Sequence, residues 1–578
     1  MSLLAAMALA LTPTVGAAAA PALGSRLPVS TEVGTPVRLA ILVPITVRPT
    51  ASGLIDATTL AGYTAPLGVL TRQLDAVYNT PAIIGLDPMI VASIRVLGKA
   101  APATSIEWLD RLKGASNQIF SLAYADADLA SLARVGALQQ AQPIGFDFAI
   151  DPRNFGPAVT ASPTPTASPT PTATPTPNSS TPNSSTSDSS PTPPLPTSAE
   201  EVLDWDYTLN NIAWPADDTV LPTDLEPLKG AGYQDVVVSS TNISASSSGA
   251  VDLGQLQGVV ADSGVSSLVR EAVYATGASA QPNALGRLNS ALTGIEALSP
   301  GRTVVATLDR HWPLGSLNLD ALFADLAAQT SVTVVGLTAV LAGEHPSAEV
   351  VQRANDATRT TQLGSVIEAA HQEAAFATAA TTPDLVIEPR RLQLLSLLAV
   401  TWLRGTDDWS TEVGTFLSQS ATLRDSVKIV NGSDLFVGAG QTNIPVTVSN
   451  ALTVPVTVYV NVASTGSVLQ VQKQNVALTV EPGSSNKAAV PVQALSNGKV
   501  VTTVTISSVA KVPLGSPDYV NVDLQPGWES VGTAVIVILL VLVFGGGIAR
   551  NIYTRRKARR GQVDSDEVAA QPAEATRD

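Results

Sequence analysis

The chain has 578 residues, too many for one compact core, so more than one domain is expected. Its 33 Lys and Arg against 48 Asp and Glu give a formal net charge of -15, which excludes the clustered cationic surface that a nucleic-acid partner requires. The absence of cysteine excludes disulfides, thiolate-bound zinc and thiol catalysis together, so stability has to come from apolar burial.

Residues 1–22, MSLLAAMALALTPTVGAAAAPA, read as a signal peptide, with an apolar stretch running into small residues around Ala17 to Ala20. The usual basic start is missing from this stretch and is expected upstream of Met1. From 35 to 350 the pattern alternates between apolar runs and helical periodicity. VRLAILVPITV (37–47), AIIGL (82–86), QIFSLAY (118–124) and GFDFAI (145–150) predict buried strands, and 67–78 and 127–136 predict helices between them.

Residues 158–200 then interrupt with a Pro/Thr-rich tract. Its repeats carry almost no apolar side chains, so they cannot offset the entropy of ordering; an extended, disordered insertion is expected, with threonines open to O-glycosylation. Beyond it the alternation resumes at TDLEPLKGAG (223–232), DVVVSS (235–240), GRTVVATL (301–308), LDALFADLAAQ (319–329) and VTVVGL (332–337). A βα repeat on both sides predicts that the tract is inserted into one α/β barrel-like domain.

Residues 351–426 turn helical, as in RRLQLLSLLAVTWLRG (390–405), and from 427 to 526 the period becomes two, with Val/Thr strands broken by Gly, Asn and Pro. That predicts an Ig-like antiparallel sandwich, serving as a stalk. Val531 to Ala549 is a charge-free run of nineteen residues, enough for a transmembrane helix, and Arg550, Arg555, Arg556, Lys557, Arg559 and Arg560 follow it. The basic cluster predicts that the tail, 550–578, is cytoplasmic and that everything before the span is outside the plasma membrane. Residues 550–578 hold seven Arg or Lys and five Asp or Glu, a net of +2, which leaves -17 on the remainder.

Taken in order, GFDFAIDP, WPADDTV, TLDRHWP, the helical stretch, VTVSNALTVPVTV, one span and a basic tail resemble an actinobacterial family of secreted single-pass membrane proteins of unknown function, of the cell-surface glycoprotein type. The resemblance implies a place in the cell envelope and, through the family's gene neighbourhood beside a peptidoglycan-precursor flippase, a link to cell-wall assembly. The α/β half has in addition a distant look of polysaccharide-deacetylase and glycosidase barrels.

Deacetylases of that kind hold a metal through an Asp and two His. Here the three histidines, His311, His345 and His371, lie 34 and 26 residues apart, so no metal site and no cofactor is expected. A glycosidase needs only two carboxylates flanking the scissile bond. Asp87, Asp126, Asp217 and Asp309 follow predicted strands, where barrel enzymes keep their chemistry. Asp in such loops also caps the next helix through its unpaired N–H groups, as ADADL (125–129) and PTDLEPL (222–228) suggest. Asp217 and Asp218 are adjacent and should point in different directions. Trp214, Asp218, His311 and Trp312 are the candidates for ligand contact, a sugar face stacking on an indole, and Arg310 is expected to pair with a carboxylate at the surface.

The pattern therefore points to a non-enzymatic envelope protein binding a glycan, a wall precursor or another envelope protein and anchored in the lipid bilayer. The alternative is a membrane-tethered polysaccharide hydrolase using an Asp pair.

Overall fold

The computed structural model describes residues 34–156 and 193–561, apart from 245–247, 311, 313–317, 405, 431, 439 and 526–527. The expected signal peptide, most of the Pro/Thr tract, His311 and the tail beyond Gly561 lie outside the described residues.

The first part is a mixed α/β domain. Its strands are β1 (Val37–Ile45), β2 (Ile83–Leu86), β3 (Ile119–Ser121), β4 (Ile212–Ala213), β5 (Asp235–Ser239), β6 (Ala250–Asp252), β7 (Gln257–Ala261), β8 (Thr303–Thr307) and β9 (Val332–Val334). They form one sheet in the order β3-β2-β1-β8-β7-β5-β4, parallel throughout, with β9 added parallel to β1 and β6 antiparallel to β7. Strands from both sides of the Pro/Thr tract join this sheet, and Gly156 N–H donates to Pro193 O at 2.8 Å where the described chain leaves and re-enters.

The sheet is an open half-barrel. β1 shows why its strands read as unbroken apolar runs: Leu39, Ile41 and Val43 face the helices, whereas Ala40 and Leu42 face an inner cluster with Phe120, Trp214, Val237, Val259 and Val305. Both faces are buried, as in sheets flanked by crossover helices. The rings of Phe120 and Trp214 lie 5.9 Å apart inside this cluster, and Gly85 leaves them room, since a Cβ there would come within 3.1 Å of Trp214. Between the edge strands, Thr208 N–H and Leu209 N–H donate to Ile119 O at 3.0 and 3.2 Å.

The helices are α1 (Ala57–Tyr63), α2 (Val69–Val77), α3 (Pro88–Arg95), α4 (Ala103–Lys113), α5 (Leu129–Arg134), α6 (Ala199–Leu203), α7 (Leu225–Gly230), α8 (Ser263–Tyr274), α9 (Ala280–Leu298), α10 (Leu319–Ala328) and α11 (Leu337–Leu341). The run GFDFAI, expected as a strand, is instead a 3-10 turn at Asp147–Ala149. Phe146 is buried against Tyr124, ring centroids 6.0 Å apart, and Phe148 N–H donates to Glu388, so tertiary contacts take up the backbone that a neighbouring strand would have paired.

A helical segment follows, with α12 (Ala357–Ala377), α13 (Asp384–Leu397) and α14 (Thr406–Arg424). Arg390 ties the three together: it pairs with buried Glu373 at 2.7 Å and donates to Phe416 O at 3.1 Å. The segment also joins its neighbours. Ser396 Oγ donates to Thr50 O at 2.6 Å and Asp128 N–H to Leu398 O at 2.8 Å, so α13 and the turn after it cover part of the carboxyl end of the sheet. At its other end Thr457 N–H donates to Ala379 O at 2.8 Å.

The β-rich part has β10 (Val427–Ile429), β11 (Leu435–Val437), β12 (Gln441–Asn450), β13 (Val456–Ser464), β14 (Leu469–Val471), β15 (Val476–Val480), β16 (Ser484–Ala494), β17 (Gly498–Ser507) and β18 (Pro513–Leu524). One sheet runs β10-β12-β16-β14 and the other β11-β18-β17-β13-β15. Alternate side chains from both sheets enter one cluster, in which Val446, Val458, Val490 and Val522 are buried, as the period of two requires. Buried Asn450 donates from Nδ2 to Val480 O at 3.1 Å and so links the two sheets.

The last helix, α15 (Trp528–Gly561), carries the span. Within Gly532–Lys557 an 18-residue window has a mean hydropathy of 2.5, and none of that window is buried by protein. Ile538, Leu542 and Phe544 are exposed, which for an apolar helix means a lipid surround rather than a protein core. The protein is anchored by this single C-terminal helix in a single-pass topology, with a large N-terminal extracytoplasmic domain.

Candidate functional site

The carboxyl ends of the parallel strands gather the charged residues that the sequence singles out. Asp87 directly follows β2 and caps α3, its Oδ1 accepting Met89 N–H at 2.9 Å. The same oxygen accepts Ala125 N–H at 2.9 Å from the loop after β3. Only 1% of Asp87 is exposed, and its Oδ2 has no hydrogen-bond partner among the described residues. Burial pushes its carboxyl up to about 8, against the lowering effect of the Met89 N–H. Asp87 is therefore a neutral acid at pH 7, locked between two elements rather than facing a cleft.

Ala125 and Asp126 both have positive φ, 55° and 49°, a forced turn for non-glycine residues. The turn sends Asp126 into the interior, where Arg310 Nε meets Oδ2 at 3.2 Å. Both side chains are nearly buried, so the pairing expected for Arg310 at the surface is in fact an interior one. Burial raises the carboxyl of Asp126 and the Arg310 charge opposes the rise. Arg310 also lies 4.2 Å above the Trp214 ring and donates to Trp214 O at 2.6 Å. Trp214 is 4% exposed, part of the inner cluster, and offers no open ring face to a sugar. Trp312 is half-buried and donates from Nε1 to Pro44 O at 2.8 Å.

A second pair sits nearer solvent. Arg270, on α8, contacts Asp309 Oδ1 at 3.1 Å and Asp217 Oδ2 at 3.8 Å, while its Nε donates to Thr307 O at 3.0 Å. Sharing one guanidinium holds these carboxylates no more than roughly 9 Å apart, a bound that admits both the retaining and the inverting glycosidase spacings. The guanidinium nevertheless stands between them, where a scissile bond would have to lie.

Asp218 points away from Asp217, as adjacency predicts. Its φ is 62°, and its carboxylate takes the Thr241 hydroxyl at 2.5 Å and Arg353 at 3.3 Å. The four candidate carboxylates thus divide into an interior couple, Asp87 with Asp126, and an outer couple, Asp217 with Asp309. Arg270 had no sequence signal: it belongs to a helix that the apolar pattern between 240 and 301 did not announce.

The capping expectation holds at Asp87 and fails at Asp128. Asp128 stands at the N-cap of α5 but makes no side-chain bond to the helix backbone; its Oδ2 accepts the Ser131 hydroxyl instead. His371 Nε2 lies 2.8 Å from Gln140 Nε2, and burial of Asp235 is opposed by nearby His345. No group of three metal-type ligands occurs among the described residues.

Among solved structures, parts of the chain are similar to native α2-macroglobulin from Escherichia coli (19% identity, 18% of this chain and 17% of that one, TM-score 0.15). Similar too are Salmonella α2-macroglobulin reacted with methylamine (21% identity, 18% and 7%, TM-score 0.15) and WR4, a Caenorhabditis elegans MSP family member (10% identity, 17% and 98%, TM-score 0.14). At these scores the likeness carries no argument about the whole molecule. No curated protein matches the sequence. A family model, by contrast, matches residues 11–574, and the chain belongs to that family, DUF6049, a family of unknown function.

Proposed function

We propose that the protein is a non-catalytic component of the cell envelope that binds a glycan, a wall precursor or another envelope protein and contributes to cell-wall assembly. On this reading the α/β domain is a degenerate glycosidase-like barrel, completed by the Thr208–Leu209 contact with Ile119, and the two-sheet part is an Ig-like stalk above the membrane. The observation that carries it is the state of the carboxylates: each candidate is held by a structural partner, Asp87 by two backbone N–H groups, Asp126 by Arg310, and Asp217 and Asp309 by Arg270. A hydrolase needs one carboxyl free to give a proton and another free to attack or to activate water.

The ligand surface on this reading is the outer rim, where Arg270, Asp217 and Asp309 remain partly open beside Trp312 and Asp218. Co-sedimentation of the full detergent-solubilised chain with purified peptidoglycan sacculi tests it. Retention on sacculi that weakens in Arg270→Gln supports the glycan reading. Absence from sacculi, with a protein captured by crosslinking in intact cells, selects the protein-partner form; absence of both refutes the proposal.

The membrane-tethered hydrolase remains a second reading because Asp217 and Asp309 converge on one guanidinium, within the reach of a glycosidase pair. It requires substrate to displace Arg270 from between them.

A further inference from the structure

A cavity of about 150 Å³ opens where the loop after β4, helix α5 and the N-terminal turn of α12 meet. Six of its lining residues are charged: Asp128, Arg134, Asp218, Arg353, Asp356 and Arg359. Four are committed elsewhere in whole or in part. Arg134 pairs with fully buried Asp224 at 3.2 Å, Asp218 with Arg353 at 3.3 Å, and Asp356 caps α12 by accepting Arg359 N–H at 3.0 Å.

What remains is one anion and one cation. Asp128 is 1% exposed, and its Oδ1 has no partner among the described residues. The Arg359 guanidinium carbon lies 4.0 Å over the Trp409 ring, with the Asp128 and Asp356 carboxylates acting on its charge, while Arg353 Nε is buried beside it without a partner among the described residues. Buried polar atoms left unpaired in a native fold call for a ligand or water that satisfies them.

We propose that this cavity binds a small zwitterion, a free α-amino acid of short side chain, with its carboxylate on the Arg359 guanidinium and its ammonium on the Asp128 carboxylate. An anion alone would leave Asp128 unpaired beside it, and a cation alone would face Arg359. The Trp409 ring, 4.0 Å from the guanidinium carbon, restrains Arg359, and a restrained guanidinium is suited to a carboxylate. The volume matches a ligand of roughly six to eight non-hydrogen atoms, since a 150 Å³ protein cavity is known to hold benzene, and it is well under the several hundred Å³ of sites that take larger ligands. Leu221, Leu363 and Leu403 supply an apolar wall for a methyl group. The wall-ligand reading rests on Arg270, which does not line this cavity; Asp218 is shared, through its pair with Arg353, but neither Asp128 nor Arg359 belongs to that rim.

Isothermal titration of the full chain in detergent with glycine, L-alanine and D-alanine tests it. Saturable binding of one molecule per chain is expected, weakened by roughly tenfold or more in Arg359→Gln and in Asp128→Asn. On the unaltered chain, alaninamide, which lacks the carboxylate, and N-acetylalanine, which lacks the ammonium, should each bind by a similar factor more weakly. That comparison needs no variant and stands even where a substitution unfolds the protein. Absence of heat with all three amino acids at about 10 mM overturns the proposal. So does N-acetylalanine binding as tightly as alanine, which would make the cavity an anion site.

Discussion

Substituting Asp87→Asn probes the interior carboxyl directly. The amide oxygen can keep the bonds from Met89 N–H and Ala125 N–H, so the substitution removes the ionisable group with little change of shape. In the folded chain burial raises the Asp87 carboxyl from 3.8 to about 8. The sign follows: between those two values the folded state retains a proton that the unfolded chain has released, so stability is lost as pH rises through the window and is fully present only below the lower value. From pH 5 to pH 8 the loss is three units at about 1.4 kcal/mol each, about 4 kcal/mol in all. Asn carries no such cost. Urea denaturation of both full chains in detergent at pH 5, 6.5 and 8, followed by tryptophan fluorescence, should show Asp87→Asn gaining on the unaltered protein by about this amount across the range. A stability difference that stays constant with pH, or moves the other way, would refute the interior placement of Asp87.

Arg310→Met should destabilise by about 3–5 kcal/mol at pH 7, because it strands buried Asp126 and uncovers Trp214; the double variant with Asp126→Asn should recover much of the loss in the same urea titration. Gly53→Ala should cost about 2 kcal/mol or more by thermal melting, since Gly53 has φ of 72° and a Cβ there would lie 2.3 Å from Leu392 O on α13. A reporter enzyme fused after Asp578 should be active only in a form that works in the cytoplasm; activity of an exported-only reporter would invert the topology.

The layout was legible where the chemistry is local. β1 and β5 announce themselves as unbroken apolar runs because both faces of the sheet are covered, and the strands β12 to β18 alternate because only one face is. The span is legible from length and lack of charge alone. What escaped depended on distant partners: β7 is a run of five residues after a turn, and Arg270 gains its meaning only when β4 and β8 bring Asp217 and Asp309 to it. Asp87, Asp126, Asp217 and Asp309 all follow strands, as the apolar runs predict, but their sequence neighbours give no sign that Arg310 goes inside with Asp126, or that Trp214 fills the half-barrel. Asp128 looked like one more helix cap; its unpaired oxygen is visible only with α12 in place.

A non-catalytic role requires that the carboxylates be structural. Release of soluble reducing ends from purified peptidoglycan and from cell-surface polysaccharide, measured with the full chain and with an Asp217→Asn, Asp309→Asn double variant, tests this most directly. A non-catalytic protein gives no release above the background of the double variant. Release by the unaltered chain that disappears in the double variant would contradict it and establish a hydrolase.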